Sequence, residues 1–224
     1  MVCYFQMTIP SLVIFDCDGV LVDTERAANK SLSKRLSGLG LDLSYASCRK
    51  RFVGRSLKSV QLEVEEELGR RLPVDWHITV EQEETEVLRH STEAIAGVEA
   101  QIFGLRDVGI PYCVASSGQI EKMHATLGSS GLLPLLEDVL FSADMVGIGK
   151  PAPDLFLHAA REMGHVAEEC VVIEDSLPGV QAGVAAGMKV LGYAGDPLTD
   201  AAALESAGAH VFNDMVSLHD LLSL

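Results

Sequence analysis

The chain has 224 residues, of which 48% are hydrophobic, and this is enough for one sizeable core or for a core with a smaller appended unit. Its formal net charge is −15, from 17 basic and 32 acidic residues. Nucleic acids and anionic membranes attract basic surfaces, so this balance argues against both as partners. A small phosphorylated metabolite remains compatible with it, because a metal ion or a local lysine can reverse the field within a pocket.

The five cysteines are widely spread and form no metal-ligand spacing, which predicts reduced thiols, several of them buried in apolar runs. The first ten residues, MVCYFQMTIP, lack a basic segment followed by a long apolar one, so no signal peptide is predicted. No apolar stretch reaches the length of about 18 residues that a membrane helix needs. The expected location is cytoplasmic, and the oligomeric state is not predicted.

The stretch from Leu12 to Thr24, LVIFDCDGVLVDT, joins a strand pattern to a pair of carboxylates. Its first four residues form a continuous apolar run, which is typical of a buried parallel strand. Asp16 and Asp18 follow directly, and Gly19 allows the chain to turn there. Two carboxylates this close repel each other unless a cation or a shared proton offsets their charges.

Residues 25 to 93 carry helical periodicity and little strand signal. Apolar residues recur every three or four positions, which predicts three amphipathic helices near 28–39, 60–68 and 78–88. The third contains an acidic run, Glu81 to Glu86, which we interpret as a solvated face. The block predicts an all-helical unit over residues 26–93, inserted into a core domain formed by residues 8–25 and 94–224.

From Gly97 onward, strand and helix patterns alternate. Four further strand candidates lie at 112–115, 139–141, 171–173 and 189–193. With the opening strand, at least five short apolar strands separated by helices predict an α/β fold with a doubly wound parallel sheet. Ligands of such sheets bind outside the carboxyl ends of the strands. Nearly every predicted strand ends in polar or small residues, so we expect these residues to gather at one edge.

Four carboxyl groups are predicted to meet at that edge, those of Asp16, Asp18, Glu174 and Asp175. Such a cluster favours a hard cation, and its oxygen atoms are the ligands that Mg²⁺ prefers. For Asp175 and the following Ser176, capping of the next helix is an alternative role, and it is compatible with metal binding.

Two segments are candidates for binding an anion. Ser116 and Ser117 precede Gly118 and a helical pattern, so a hydroxyl group and backbone N–H groups can hold an anion at the helix N-terminus. Lys150 follows a strand in the sequence GKPAPD, where it is either a solvated surface residue or a phosphate ligand. The preceding GIGK is not a Walker A loop, because Pro151 stands where that loop needs Ser or Thr.

These motifs, in this order, resemble those of the haloacid dehalogenase superfamily, whose members are mostly phosphatases. DCDGVLVDT is similar to the first family motif, VASSG to the second, GKPAPD to the third and VIEDSLPGVQAG to the fourth. The resemblance covers the whole chain and implies a Rossmann-like core with a helical cap inserted after the first motif. The group that contains the β-phosphoglucomutases and phosphoglycolate phosphatases is the most similar.

The resemblance implies a role for each matching position. Asp16 would be the nucleophile that forms an aspartyl-phosphate, and Asp18 the general acid and then the general base. The implied Mg²⁺ contacts involve four residues: Asp16, Asp18 through its carbonyl, Asp175, and Glu174 as a ligand or a partner of a metal-bound water. The implied phosphate-binding residues are Ser116, Ser117 and Lys150. The expected activity is a magnesium-dependent hydrolysis of a small phosphate ester, such as a sugar phosphate.

Two positions bear on the type of reaction. Dehalogenases of the superfamily lack Asp at the position of Asp18, because halide leaves without a proton, so Asp18 favours phosphoester chemistry. The sugar-phosphate mutases carry a His where this chain has Ala28, and that His helps to delay attack by water on the phospho-enzyme. Ala28 therefore favours hydrolysis, with a β-phosphoglucomutase-like mutase as the alternative.

Arg55, in the cap sequence FVGRS, is a candidate for contacting the distal end of the substrate. A surface arginine paired with the acidic cap is the competing interpretation. A non-enzymatic phospho-acceptor switch of the response-regulator type is a remote alternative, because receivers have about half this length and no helical insert.

Overall fold

The computed structural model describes residues 9–224, except for the side chains of residues 25–28. The predictions for Cys3, for the N-terminal segment before residue 9 and for the side chain of Ala28 lie outside these described residues. No helix within 9–224 combines the length and the apolar character that a membrane crossing requires.

A six-stranded parallel sheet forms the centre of the molecule. Its strands are β1 (Leu12–Phe15), β2 (Tyr112–Ser116), β3 (Leu140–Ser142), β4 (Cys170–Glu174), β5 (Lys189–Tyr193) and β6 (His210–Phe212). The strand order is β3-β2-β1-β4-β5-β6. The order reverses between β1 and β4, which is the switch point at which sheets of this kind bind ligands. Phe15 and Ile173 are register partners there, so the residues that follow them emerge side by side.

Eleven α-helices are assigned within the described residues. They are α1 (Glu25–Leu39), α2 (Tyr45–Phe52), α3 (Leu57–Leu68), α4 (Trp76–Leu88), α5 (Val98–Asp107), α6 (Ile120–Ser130), α7 (Leu133–Leu136), α8 (Asp154–Glu162), α9 (Leu177–Ala185), α10 (Ala201–Ser206) and α11 (Leu218–Leu221). Helices α5 and α6 pack on one face of the sheet, and α8 and α9 pack on the other. Both faces are therefore buried, which explains the continuous apolar strands. The predicted doubly wound sheet with an inserted helical cap is confirmed.

The inserted cap is built from α1 to α4 and has an apolar cluster of its own. That cluster includes Leu36, Phe52 and Val64. The sequence predicted three of these helices and missed α2, because its residues YASCRKRF show little apolar periodicity. Ser44 supplies the local signal, since its side chain accepts a hydrogen bond from the N–H of Ser47 and caps the helix. The short edge strand β6 was likewise not predicted.

One interpretation of the sequence is wrong. The acidic run of α4 is not a uniformly solvated face, because Glu81 and Glu84 are buried while Glu83 and Glu86 are exposed. Residues three apart on a helix lie on the same side. Glu81 and Glu84 therefore share the side of α4 that faces the core domain, and the periodicity of the run gave no means of distinguishing the two sides.

Candidate active site

The loop after β1 places Asp16 at the switch point of the sheet. The N–H of Asp16 donates a hydrogen bond to the carbonyl of Ile173 over 2.9 Å, which fixes the loop against β4. Gly19 has φ +84°, and a Cβ atom there would lie 2.2 Å from Oδ2 of Asp175. Only glycine allows this backbone to turn and to approach the carboxyl end of β4 so closely.

Lys150 is buried at the centre of the site and is not a surface residue. Its Nζ donates to Oδ1 of Asp16 over 2.5 Å, to Oε1 of Glu174 over 2.8 Å and to the carbonyl of Ala115 over 3.0 Å. Burial alone would lower the pKa of this ammonium group, but the two carboxylates outweigh that effect and raise the pKa. Lys150 therefore remains charged and neutralises part of the acidic cluster.

Three carboxylates can share a cation at this point. Asp16, Glu174 and Asp175 each offer an oxygen atom, and these atoms lie within 4.8 Å of one another. Burial raises the pKa of Asp16 to about 7, the negative charges of Glu174 and Asp18 add to this effect, and Lys150 opposes it. A cluster whose negative charge is this poorly compensated fits a divalent cation, and an all-oxygen donor set fits Mg²⁺.

The contacts of Glu174 show that it also organises the site. Its Oε2 accepts hydrogen bonds from the N–H and the hydroxyl of Ser176, each over 2.9 Å, and its Oε1 accepts one from Lys150. The Ser176 side chain in turn accepts from the N–H of Gly179 and caps α9. Helix capping is thus carried out by Ser176, while Asp175 belongs to the acidic cluster.

The carboxyl group of Asp18 lies outside this cluster and has different partners. Lys122, in the first turn of α6, donates to its Oδ2 over 2.8 Å, and the hydroxyl of Thr24 donates to its Oδ1. Burial would raise the pKa of Asp18, but Lys122 and Thr24 outweigh it and hold that pKa below its ordinary value. The two aspartates of the first motif are therefore separated electrostatically: one carboxyl group has a raised pKa and the other a lowered one.

Ser116 and Ser117 stand at the end of β2, beside these carboxylates. The hydroxyl of Ser116 accepts a hydrogen bond from the N–H of Gly118 over 3.1 Å, which shapes the turn before α6. The hydroxyl of Ser117 donates to the carbonyl of Gly54 in the cap over 3.2 Å. Both serines line the same cleft as Asp16 and Asp18, so the structure brings these predicted residues together.

The cap lies against the core and closes a cleft over these groups. The cleft is narrow, with a cavity volume of about 90 Å³, and it is partly open to solvent. Polar contacts that join cap and core include Ser117 to Gly54, Gln119 N–H to Oε1 of Glu81 over 2.8 Å, and Arg49 to Asp196 over 2.8 Å. A Cβ atom at Gly54 (φ +75°) would lie 2.1 Å from the hydroxyl oxygen of Ser176, so this closure depends on glycine.

Arg55 lines the cleft, but its guanidinium group already has partners within the cap. It donates to Glu63 and to the carbonyl of Ser59, and it lies over the ring of Phe52. Arg55 is thus paired with an acidic cap residue and also lines the cleft, and its contact with a substrate stays a prediction.

Several residues of the cleft were not predicted from the sequence. Lys122 has no feature that separates it from an ordinary helical lysine, except its place one turn after the SSG sequence. Thr24 was seen only as the end of the first motif. Glu84 was assigned to a solvated face, yet burial raises its pKa to about 7, with Lys122 opposing this effect. These roles depend on how the cap sits on the core, which periodicity does not show.

Comparisons with known proteins agree with this geometry. The sequence model described as haloacid dehalogenase-like hydrolase matches residues 10–187. The chain is 33% identical to 6-phosphogluconate phosphatase of Escherichia coli, over 83% of each protein, and 33% identical to hexitol phosphatase A of the same organism, over 80% of each. Among solved structures, a putative β-phosphoglucomutase from Bacteroides vulgatus superposes with a TM-score of 0.81 at 26% identity, over 98% of this chain and 91% of the other.

Proposed function

We propose that this chain, which belongs to the haloacid dehalogenase-like hydrolase family, hydrolyses small phosphate monoesters through a phosphorylated Asp16. The observation that carries the proposal is the environment of Asp16. Its carboxylate accepts a hydrogen bond from Lys150, lies beside the carboxylates of Glu174 and Asp175, and lines the cleft under the cap. A nucleophile in such a place can approach phosphorus because positive charge offsets its repulsion from the phosphate.

The metal would be held by oxygen atoms of Asp16 and Asp175, with Glu174 nearby and the backbone carbonyl of Asp18 as a further candidate. When bound, Mg²⁺ would supply positive charge that offsets both the carboxylates and the phosphoryl oxygens. Oε1 of Glu174 accepts a hydrogen bond from Lys150 and so holds that lysine in place. Oε2 of Glu174 accepts a hydrogen bond from Ser176, which fixes the carboxyl group itself. Ser116, Ser117 and Lys150 then provide donors for the phosphoryl oxygens.

Asp18 is the residue that we propose moves the proton. Asp18 follows Asp16 by two positions in the sequence and lines the same cleft. Hydrogen bonds from Thr24 and Lys122 fix its carboxyl group. In this pairing the ionised form is favoured, which is the form that activates water against the phospho-enzyme. A phosphate dianion in the cleft competes for the Lys122 ammonium group. The pKa of Asp18 then rises, which allows its protonated form to donate to the leaving oxygen.

The cap determines which ester enters. We propose that residues 26–93 act as the cap domain and that Arg55 contributes to the wall facing the leaving group. Two relatives carry the names of phosphatases for 6-phosphogluconate and for hexitols, which supports a small polyhydroxylated metabolite as the substrate. We propose hydrolysis and not phosphoryl transfer between sugars, because Ala28 stands where the mutases carry a His. We propose a cytoplasmic location on the basis of the sequence alone.

The experiment is a phosphate-release assay with an aryl phosphate and Mg²⁺. Wild-type protein should release phosphate, EDTA should stop the reaction, and Mg²⁺ should restore it. Asp16→Asn should lower the rate by at least about 10³-fold, because the amide cannot attack phosphorus. Unchanged circular dichroism would show that the variant is folded. Full activity in Asp16→Asn, or a rate that needs no metal, would refute the proposal.

A further inference from the structure

Helix α4 presents two buried carboxyl groups to the cleft. Glu81 and Glu84 are 8% and 7% exposed, and both line the cavity that contains Asp16. Oε1 of Glu81 accepts the hydrogen bond from Gln119 that joins the cap to the core. Oε1 of Glu84 is buried and accepts no hydrogen bond from the described residues.

A buried carboxyl oxygen without a donor is costly. Leaving such a group without a hydrogen bond is destabilising, and more so when the group is charged. The cost falls when a ligand brings a donor into the cavity, and the hydroxyl groups of a polyhydroxylated ester are donors that carry no charge. Hydrogen bonds to an ionised acceptor are also stronger than those between neutral groups. The unpaired Oε1 therefore indicates a ligand with a hydroxyl group at this point.

The charges around Glu84 restrict that ligand further. A carboxylate on the leaving group would lose water beside Glu81 and Glu84, and this like-charge contact is unfavourable in a buried site. The cations that act on Glu84 are Lys122 and Arg35, and these are already paired with Asp18 and Glu83. The guanidinium group of Arg55, which also lines the cleft, is paired with Glu63. The wall formed by α4 thus favours hydroxyl donors and disfavours a second anionic group.

We propose that Glu84 is a specificity-determining residue that accepts a hydrogen bond from a hydroxyl of the leaving group. The favoured substrates are then phosphate esters of neutral polyhydroxy compounds rather than of sugar acids. This inference rests on the proposed function. The competing role for Glu84 is to balance the charge of Lys122, and that role has no preference between leaving groups.

The test compares two esters that differ at one end only. Glucitol 6-phosphate ends in a neutral CH₂OH group, and 6-phosphogluconate ends in a carboxylate. Wild-type protein should favour the neutral ester in kcat/KM by at least tenfold. Glu84→Gln keeps an oxygen acceptor but removes the charge, so it should reduce this preference about tenfold, which corresponds to about 1.4 kcal/mol. Glu86→Gln removes the same charge from the exposed side of α4 and should leave the ratio unchanged.

The outcomes separate this inference from the proposed function. A wild-type preference for 6-phosphogluconate, or no hydrolysis of either ester, overturns the inference even if Glu84→Gln fails to fold. An equal loss with both esters and with an aryl phosphate shows that Glu84 only balances Lys122, which also overturns it. Hydrolysis of the aryl phosphate in these same experiments leaves the proposed function standing, whereas its absence refutes that function first.

Discussion

Replacing Lys150 by Met should destabilise the protein in a way that depends strongly on pH. The side chain of Lys150 is 1% exposed, and its ammonium group contacts Asp16 and Glu174. Removing one partner of a buried ion pair leaves uncompensated charge and costs roughly 3–5 kcal/mol. For a chain of this size, 1 kcal/mol corresponds to about 2–4 °C in the melting temperature, so Lys150→Met should melt roughly 10 °C lower at neutral pH.

The sign of the pH dependence follows from the carboxyl groups. Burial holds the pKa of Asp16 at about 7 even with Lys150 present, and loss of Lys150 raises it further. A carboxyl group with a raised pKa binds more protons in the folded state than in the unfolded state, so stability falls as pH rises between the two pKa values. The gap between wild type and Lys150→Met should therefore widen from pH 5 to pH 8.

The assay is a thermal or urea melt in EDTA at several pH values between 5 and 8, so that no divalent cation replaces the missing charge. Lys58→Met, on the exposed side of α3, is the matched control for the loss of one positive charge and should melt within about 2 °C of wild type. Equal destabilisation of Lys150→Met at pH 5 and pH 8, or a melt like that of Lys58→Met, would refute the electrostatic argument.

Two glycine replacements should distinguish the role of the core loop at Gly19 from that of the cap loop at Gly54. Gly19→Ala places a Cβ atom against Asp175 at a positive φ. It should therefore lower the free energy of unfolding by roughly 1–3 kcal/mol and weaken Mg²⁺ binding measured by titration. Wild-type stability and wild-type Mg²⁺ affinity would contradict the described loop. Gly54→Ala places a Cβ atom against Ser176 of the core domain, also at a positive φ. Movement of the cap away from the core would relieve this contact, so kcat/KM should fall at least about tenfold with a smaller loss of stability than in Gly19→Ala. Unchanged kinetics would show that this closure is not needed.

The parts of the fold that the sequence could predict are those with strong local patterns. Strands buried on both faces have continuous apolar sequences. The predicted strand at residues 189–193 has the same bounds as the observed β5. The residues after β1 and β4 were expected at one edge because parallel strands share their carboxyl ends. The order of the strands was not predicted, since it depends on which long-range pairs form. Helix α2 was missed because it is stabilised by the apolar cluster of the cap domain and by the N-cap hydrogen bond of Ser44, neither of which produces an apolar periodicity.

The site was predictable where residues follow strands and not where two domains meet. Asp16, Glu174 and Asp175 are positioned by the sheet itself, so their proximity follows from topology. Whether Lys150 was a surface residue or a ligand could not be decided, because its burial depends on packing from several elements. The buried side of α4 looked the same as its exposed side in sequence, which is why Glu84 was placed wrongly.

The central claim is that Asp16 becomes phosphorylated, and chemical trapping tests it most directly. Protein mixed with a phosphate ester and Mg²⁺ is quenched, reduced with borohydride and mapped by mass spectrometry, so that a phosphorylated aspartate is converted to homoserine. This change is expected at Asp16, with none at Asp18 and none without substrate. A label at Asp18 or at another residue, or steady turnover with no trapped aspartate, would contradict it.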